Sequence, residues 1–185
     1  MTKPLQQYSV VDIARFIVEF KKSTGDKFLL NNLMLQKILY FLEVRALVEH
    51  QQSLFTADIE KWKHGPVIPE VYHLYKKYGA EEITRPEKEL KQNSSLEEIL
   101  GSYDNQEIPE TIIPDKKTRE FIISTINALK DFQRFQLVEK THEHPEWKKD
   151  QDKIYNGERH LTYDREKLKE DFLQNEEFQI WKTHH

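Results

Sequence analysis

The chemistry open to this chain rests on histidine and carboxylate, because its 185 residues include 8 His and no Cys. The missing cysteine removes thiolate nucleophiles, Cys-type zinc sites and disulfides together. His142, Glu143 and His144 look like a fragment of a metal site, and His64 stands beside Gly65 with Glu60 and Trp62 just before it. If Glu60, His64 and His142 converged, they could form a small metal- or His-dependent hydrolase or a nucleotide-binding enzyme. Imidazole would carry the metal or the proton, and burial beside Trp62 would raise the Glu60 pKa. The spacing argues otherwise. Two ligands on one helix face stand three or four residues apart, and no HExxH or second ligand cluster accompanies the pair. The simpler expectation has His142 bonded to backbone near a helix end, His144 in solvent, and Glu60 solvated or salt-bridged. There is no GxSxG, no phosphate-cradling loop and no dinucleotide fingerprint, and 5 Gly leave little to build one. No enzyme is expected, and no catalytic residue, metal or cofactor is assigned.

The segment Asp58 to Tyr72 is the most informative. It gathers Trp62, His64, Gly65, Pro66, Pro69 and Tyr72 in a chain with only 7 Pro and 3 Trp. Gly65 supplies backbone freedom, Pro66 fixes φ and pushes Gly65 out of the α region, and Pro69 suits a first helical turn. A rigid turn feeding a helix is expected, with Trp62 and Tyr72 as amphipathic anchors. Such a turn either holds a core corner together or presents a site.

The elements around it read as helices. Ser9 caps a first helix with Asp12 in its first turn, and Val10, Ile13, Ile17 and Phe20 mark its buried face. Ser23-Thr24-Gly25-Asp26 ends it. Asn31 or Asn32 caps a second, from Leu33 to about His50, whose apolar stripe is broad enough for a central helix touched on more than one side. A third runs from Pro69 to Tyr78 and stops at Gly79. A fourth starts near Asp115, breaks at Phe132-Gln133-Arg134 and resumes to Thr141-His142, where Pro145 forces a turn. Asn156-Gly157 begins a tail with a short strand near Leu161 and a last amphipathic helix through Leu168, Phe172 and Leu173. The fold class expected is mainly α: a single compact helical domain over 1–185 with at most a small β element. Between Glu81 and Asp115 ten acidic side chains stand against three basic ones, a net of −7. This reads as an elaborated acidic loop over the core, with a short helix at Leu96, Ile99 and Leu100.

A formal charge of −4 gives no general footprint for nucleic acid. Residues 60–79 do carry a local +2 interleaved with Trp62, Tyr72, Tyr75 and Tyr78. That pattern suits stacked bases or a protein partner, and the net acidity favours protein. No apolar h-region and no long apolar run appear, so a soluble, cytoplasmic protein without a membrane segment is expected.

Three blocks carry a resemblance to a known family. They are Leu35-Gln36-Lys37-Ile38-Leu39-Tyr40-Phe41, then Phe55 through Asp58-Ile59-Glu60 and Trp62-Lys63-His64-Gly65-Pro66-Val67-Ile68-Pro69-Glu70-Val71-Tyr72 to Tyr78-Gly79, then Thr141-His142 and Trp147-Lys148. They resemble the Panacea domain, the SocA-like antitoxin family that includes phage-associated GepA-like proteins. The resemblance runs from about Ser9 to Phe172, without the 81–115 loop. It implies an antitoxin that binds and blocks a co-encoded toxin, and a role as proteolytic adaptor toward a AAA+ protease. The motif positions are Gln36, Lys37, Tyr40, Trp62, His64, Gly65, Pro66, Tyr72, Thr141, His142 and Trp147, as scaffold or as partner contact and with no catalytic role. The chain departs from the family's Pro-Trp step by placing Glu146 between Pro145 and Trp147, which bears on the aim of Trp147. Some members fuse a DNA-binding domain. None is expected here, so direct operator binding is not either.

Overall fold

The computed structural model describes residues 4–87 and 109–182. Most of the acidic segment, and the helix expected at Leu96, Ile99 and Leu100, fall outside them. Helix α1 (Val10–Thr24) begins where the Ser9 hydroxyl accepts from the Asp12 amide at 3.0 Å and ends at Gly25 with φ +67°. Helix α2 (Asn32–His50) is capped by the Asn31 side chain, which accepts from the Met34 amide at 2.9 Å. From Met34 to Val48 only Arg45 of α2 escapes full burial, so this helix is the axis of the core. Its breadth of apolar sequence has a direct cause: α1 and five later elements pack around it.

Strands β1 (Glu60–Trp62) and β2 (Gly65–Val67) form an antiparallel hairpin that pairs Glu60 with Val67, Lys61 with Pro66 and Trp62 with Gly65. Residues 161–163 add a third edge. The Lys61 amide donates to the Leu161 carbonyl at 2.7 Å, and the Tyr163 amide donates to that of Ile59 at 2.9 Å. The strand expected near Leu161 is therefore a single bridge. Helix α3 (Pro69–Tyr75) has Pro69 in its first turn and tightens into a 3-10 turn, 76–78, before Gly79.

Helix α4 (Pro109–Ile112) leads to α5 (Lys116–Leu129), whose cap is Asp115 accepting from the Thr118 amide at 2.8 Å. The break expected near Phe132 separates α5 from α6 (Arg134–Glu143), which Gln133 and Gln136 start with a capping box. Short helices α7 (Pro145–Lys148) and α8 (Gln151–Tyr155) turn the chain back. Helix α9 (Arg165–Gln174), capped by Asp164, packs on α2. Two contacts fasten this last quarter. Glu43, fully buried on α2, takes the Arg165 guanidinium at 2.6 Å and the Leu54 amide at 2.8 Å, and the Trp181 indole donates to Glu49 at 2.8 Å. The result is a mainly α domain with one small hairpin set against its central helix. No helix among the described residues is long and apolar enough to cross a membrane.

Candidate functional site

The three sequence blocks meet at the hairpin. Gly65 opens β2 at φ +86°, and a Cβ there would lie 2.4 Å from Thr141 Oγ1 and 2.9 Å from Lys37 Nζ. Only glycine meets both conditions, the left-handed backbone and the close approach. Thr141 is fully buried on α6 and turns its hydroxyl to the Val138 carbonyl at 2.8 Å. Lys37, also fully buried, reaches across from α2 and donates to the Pro66 carbonyl at 3.1 Å. Among the described residues no carboxylate lies within ion-pair reach of it, and burial pushes the amine well below the usual lysine range.

On the same helix α2, Gln36 immediately before Lys37 and Tyr40 about one turn after it continue the frame. Gln36 accepts the Ile68 amide at 2.7 Å, which fixes the chain between β2 and α3. The Tyr40 hydroxyl and His144 Nδ1 stand 2.8 Å apart, both buried. The expectation that His144 lies in solvent is wrong. Pro145 starts α7, so His144 is its N-cap residue and turns inward among Tyr40 and Phe172, the latter 4.6 Å away between ring centres. Burial pushes its pKa down to about 3, so the ring is neutral.

Trp147 is buried too. Its indole N–H donates to the Trp62 carbonyl at 3.0 Å, and its ring stacks on His142 at 3.8 Å. The Glu146 that departs from the family step has a partner: Lys61 Nζ lies 3.2 Å from Glu146 and 2.6 Å from Asp150. The extra residue thus puts a carboxylate under the hairpin, and Trp147 packs against the turn. Lys61, Glu146, Asp150, His144 and Glu43 are among the buried polar groups that the sequence did not reveal. Strand alternation carried a signal for Lys61, since Glu60 and Trp62 are half-buried on the other face.

The eleven motif positions therefore divide. Gln36, Lys37, Tyr40, Gly65, Pro66, Thr141 and Trp147 are buried, whereas Trp62, His64, Tyr72 and His142 reach the surface, His64 at the exposed hairpin tip. Trp62 meets Tyr72 edge to face at 4.8 Å, and its indole donates to Glu60 at 2.7 Å. The other Glu60 oxygen lies 2.9 Å from His160 Nδ1. His142 is half-buried. Desolvation and the nearby Lys37 lower its pKa, a hydrogen bond with the Lys63 backbone opposes them, and its Nε2 has no hydrogen-bond partner among the described residues. Glu60 is thus engaged apart from the two histidines, by the indole and His160, whereas His142 lies in the Trp147 stack near enough to His64 for that ring to help lower its pKa. No three His, Asp or Glu gather as a metal-holding group among the described residues. What this arrangement offers is a rigid aromatic edge on a locked hairpin.

Comparison with known proteins gives the same outline. The family model described as "Antitoxin SocA-like, Panacea domain" matches residues 35–148, which include all three blocks. Antitoxin SocA of Caulobacter vibrioides (strain NA1000 / CB15N) is 36% identical over 83 residues, 45% of this chain and 44% of that protein. The chain thus spans less than half the length of this curated relative. No solved structure matches.

Proposed function

This chain belongs to the SocA-like Panacea-domain antitoxin family, and we propose that it neutralises a co-encoded toxin by binding it directly. The observation that carries this reading is the Trp62–Tyr72 pair, held 4.8 Å apart at the surface by a frame of seven buried motif residues. Aromatic side chains in a pre-ordered frame lose little entropy on binding and supply the anchors that dominate interfaces. Lys63, His64 and Lys76 are exposed around the pair and give the edge a basic margin. Family membership favours a non-enzymatic role over a hydrolase built on Glu60, His64 and His142.

The acidic segment 81–115 belongs to the same reading as the surface that covers a basic region of the toxin. Its described flanks already serve this chain: Glu82 pairs with Lys21, Glu87 lies 2.8 Å from Lys77, and Asp115 caps α5. The toxin-facing charge is therefore assigned to the remaining carboxylates. Delivery of the toxin to a AAA+ protease is a further step of this proposal.

Co-expression with the adjacent open reading frame tests it. Rescued growth and a co-purifying complex, weakened by Trp62→Ala without loss of folding, are the expected results. A harmless neighbour that does not bind the wild-type chain would overturn the reading.

A further inference from the structure

Away from the hairpin, the joint between α5 and α6 faces the segment before α2 across an open groove of about 410 Å³. Phe28, Leu29, Met34, Phe132 and Phe135 supply its apolar lining. Leu29 is 47% exposed and Phe135 54%, and these are two of the four large hydrophobic side chains left exposed among the described residues. Two such side chains converging on one groove differ from scattered surface apolars, which occur singly.

The charge beside the groove points to the chemistry of its occupant. Helix α6 begins at Arg134 and has no acidic residue in its first turn. Helix starts favour anions, so a cation at this position is unsettled by its own helix. Arg134 lies over the Phe135 ring at 5.2 Å, and no carboxylate among the described residues is within ion-pair reach of it. Lys130 on the same rim is settled by Asp26 at 3.4 Å. Asp131 also lies on the rim but precedes the α6 cap, outside the first turn. A carboxylate arriving at Arg134 would meet both the guanidinium and the positive end of α6.

We infer that this groove is a second docking surface for the toxin, taking a segment that inserts an apolar side chain between Leu29 and Phe135 and sets an Asp or Glu against Arg134. The inference rests on the antitoxin reading and adds a contact to it, distinct from the Trp62–Tyr72 edge. Two separated anchors on one rigid body would fix the orientation of the bound toxin, which a single aromatic edge leaves free to swivel.

The test uses the full chain co-purified with the product of the adjacent open reading frame. Leu29→Glu and Phe135→Glu are expected to weaken the complex about tenfold or more while circular dichroism and Tm stay at wild-type values. Arg134→Ala should weaken it less and reduce its salt dependence. Leu173→Glu, at another exposed apolar side chain on α9, should leave binding unchanged. A photo-cross-linking benzoylphenylalanine at position 135, which keeps the ring, should join to a toxin peptide containing Asp or Glu. Wild-type affinity in both groove variants, or a cross-link to a second copy of this chain, would overturn the inference and leave the antitoxin reading standing. Absence of any complex with the wild-type chain would overturn both.

Discussion

Two lysines are buried against the same short hairpin, and their surroundings differ. Lys61 lies directly opposite Pro66 in the β register, with its ammonium between Glu146 and Asp150. Lys37 meets the carbonyl of that same Pro66 and, among the described residues, no carboxylate. The first is a compensated cation that ties β1 to the chain around α7 and α8. The second is an amine pushed toward its uncharged form by burial. Burial alone therefore does not decide what a lysine does in this core. The distinction separates a fastening, which removal should break, from a polar spacer, which an apolar residue could replace.

Substitutions can break or sharpen that contrast. Lys61→Met removes the buried partner of Glu146 and Asp150, leaving them only the half-exposed Lys149 and Lys153, and urea unfolding should show a loss of about 3 kcal/mol. A loss well under 1 kcal/mol would erase the difference between the two lysines. Gly65→Ala presses a methyl group onto both Thr141 and Lys37 at a left-handed backbone position, at a cost of about 2–4 kcal/mol. Combining it with Thr141→Ser should not recover that loss, because the Thr141 oxygen itself is 2.4 Å from the added Cβ.

His144 extends the comparison to a second group whose charged form burial disfavours. Its folded pKa of about 3 lies below the ordinary 6.5, so between those values the unfolded chain binds a proton the folded chain refuses. Stability then falls as pH falls from 6.5 toward 3, by up to about 1.4 kcal/mol per unit. Unfolding curves at pH 7, 6 and 5 should show this slope in the wild type and a flatter one in His144→Gln. For Lys37 the window lies higher, between its lowered folded value and 10.5. The unfolded chain again holds the extra proton there, so stability rises with pH across that window. Lys37→Met should be neutral or stabilising by about 1 kcal/mol at pH 7 and should flatten the slope just below pH 10.5. A destabilisation of several kcal/mol would make Lys37 a fastening like Lys61.

Helix starts and the strained turn were legible because their causes are local. Ser9, Asn31 and Asp115 each bond an amide three residues on. Gly65 with Pro66 marked a bend whose need for glycine the structure traces to Thr141 and Lys37. The frame was legible as a set of residue types through family resemblance, but its division into buried and surface members was not. His144 looked solvated because nothing near it in sequence predicts Tyr40, 104 positions away, as a partner. Nothing near Lys61 or Glu146 in sequence predicts their pairing either, since they are 85 positions apart. The polar core is assembled from long-range pairs, and one-dimensional spacing carries no record of them.

The Glu43–Arg165 contact has a consequence for how the protein is made. Its two ends are separated by 122 positions, so during translation Glu43 waits on the central helix until almost the whole domain has left the ribosome. Until Arg165 arrives, closing the core would desolvate a carboxylate without its guanidinium. Closure of the core thereby waits for α9, and nascent chains arrested before α9 should remain protease-sensitive while chains extended past it resist.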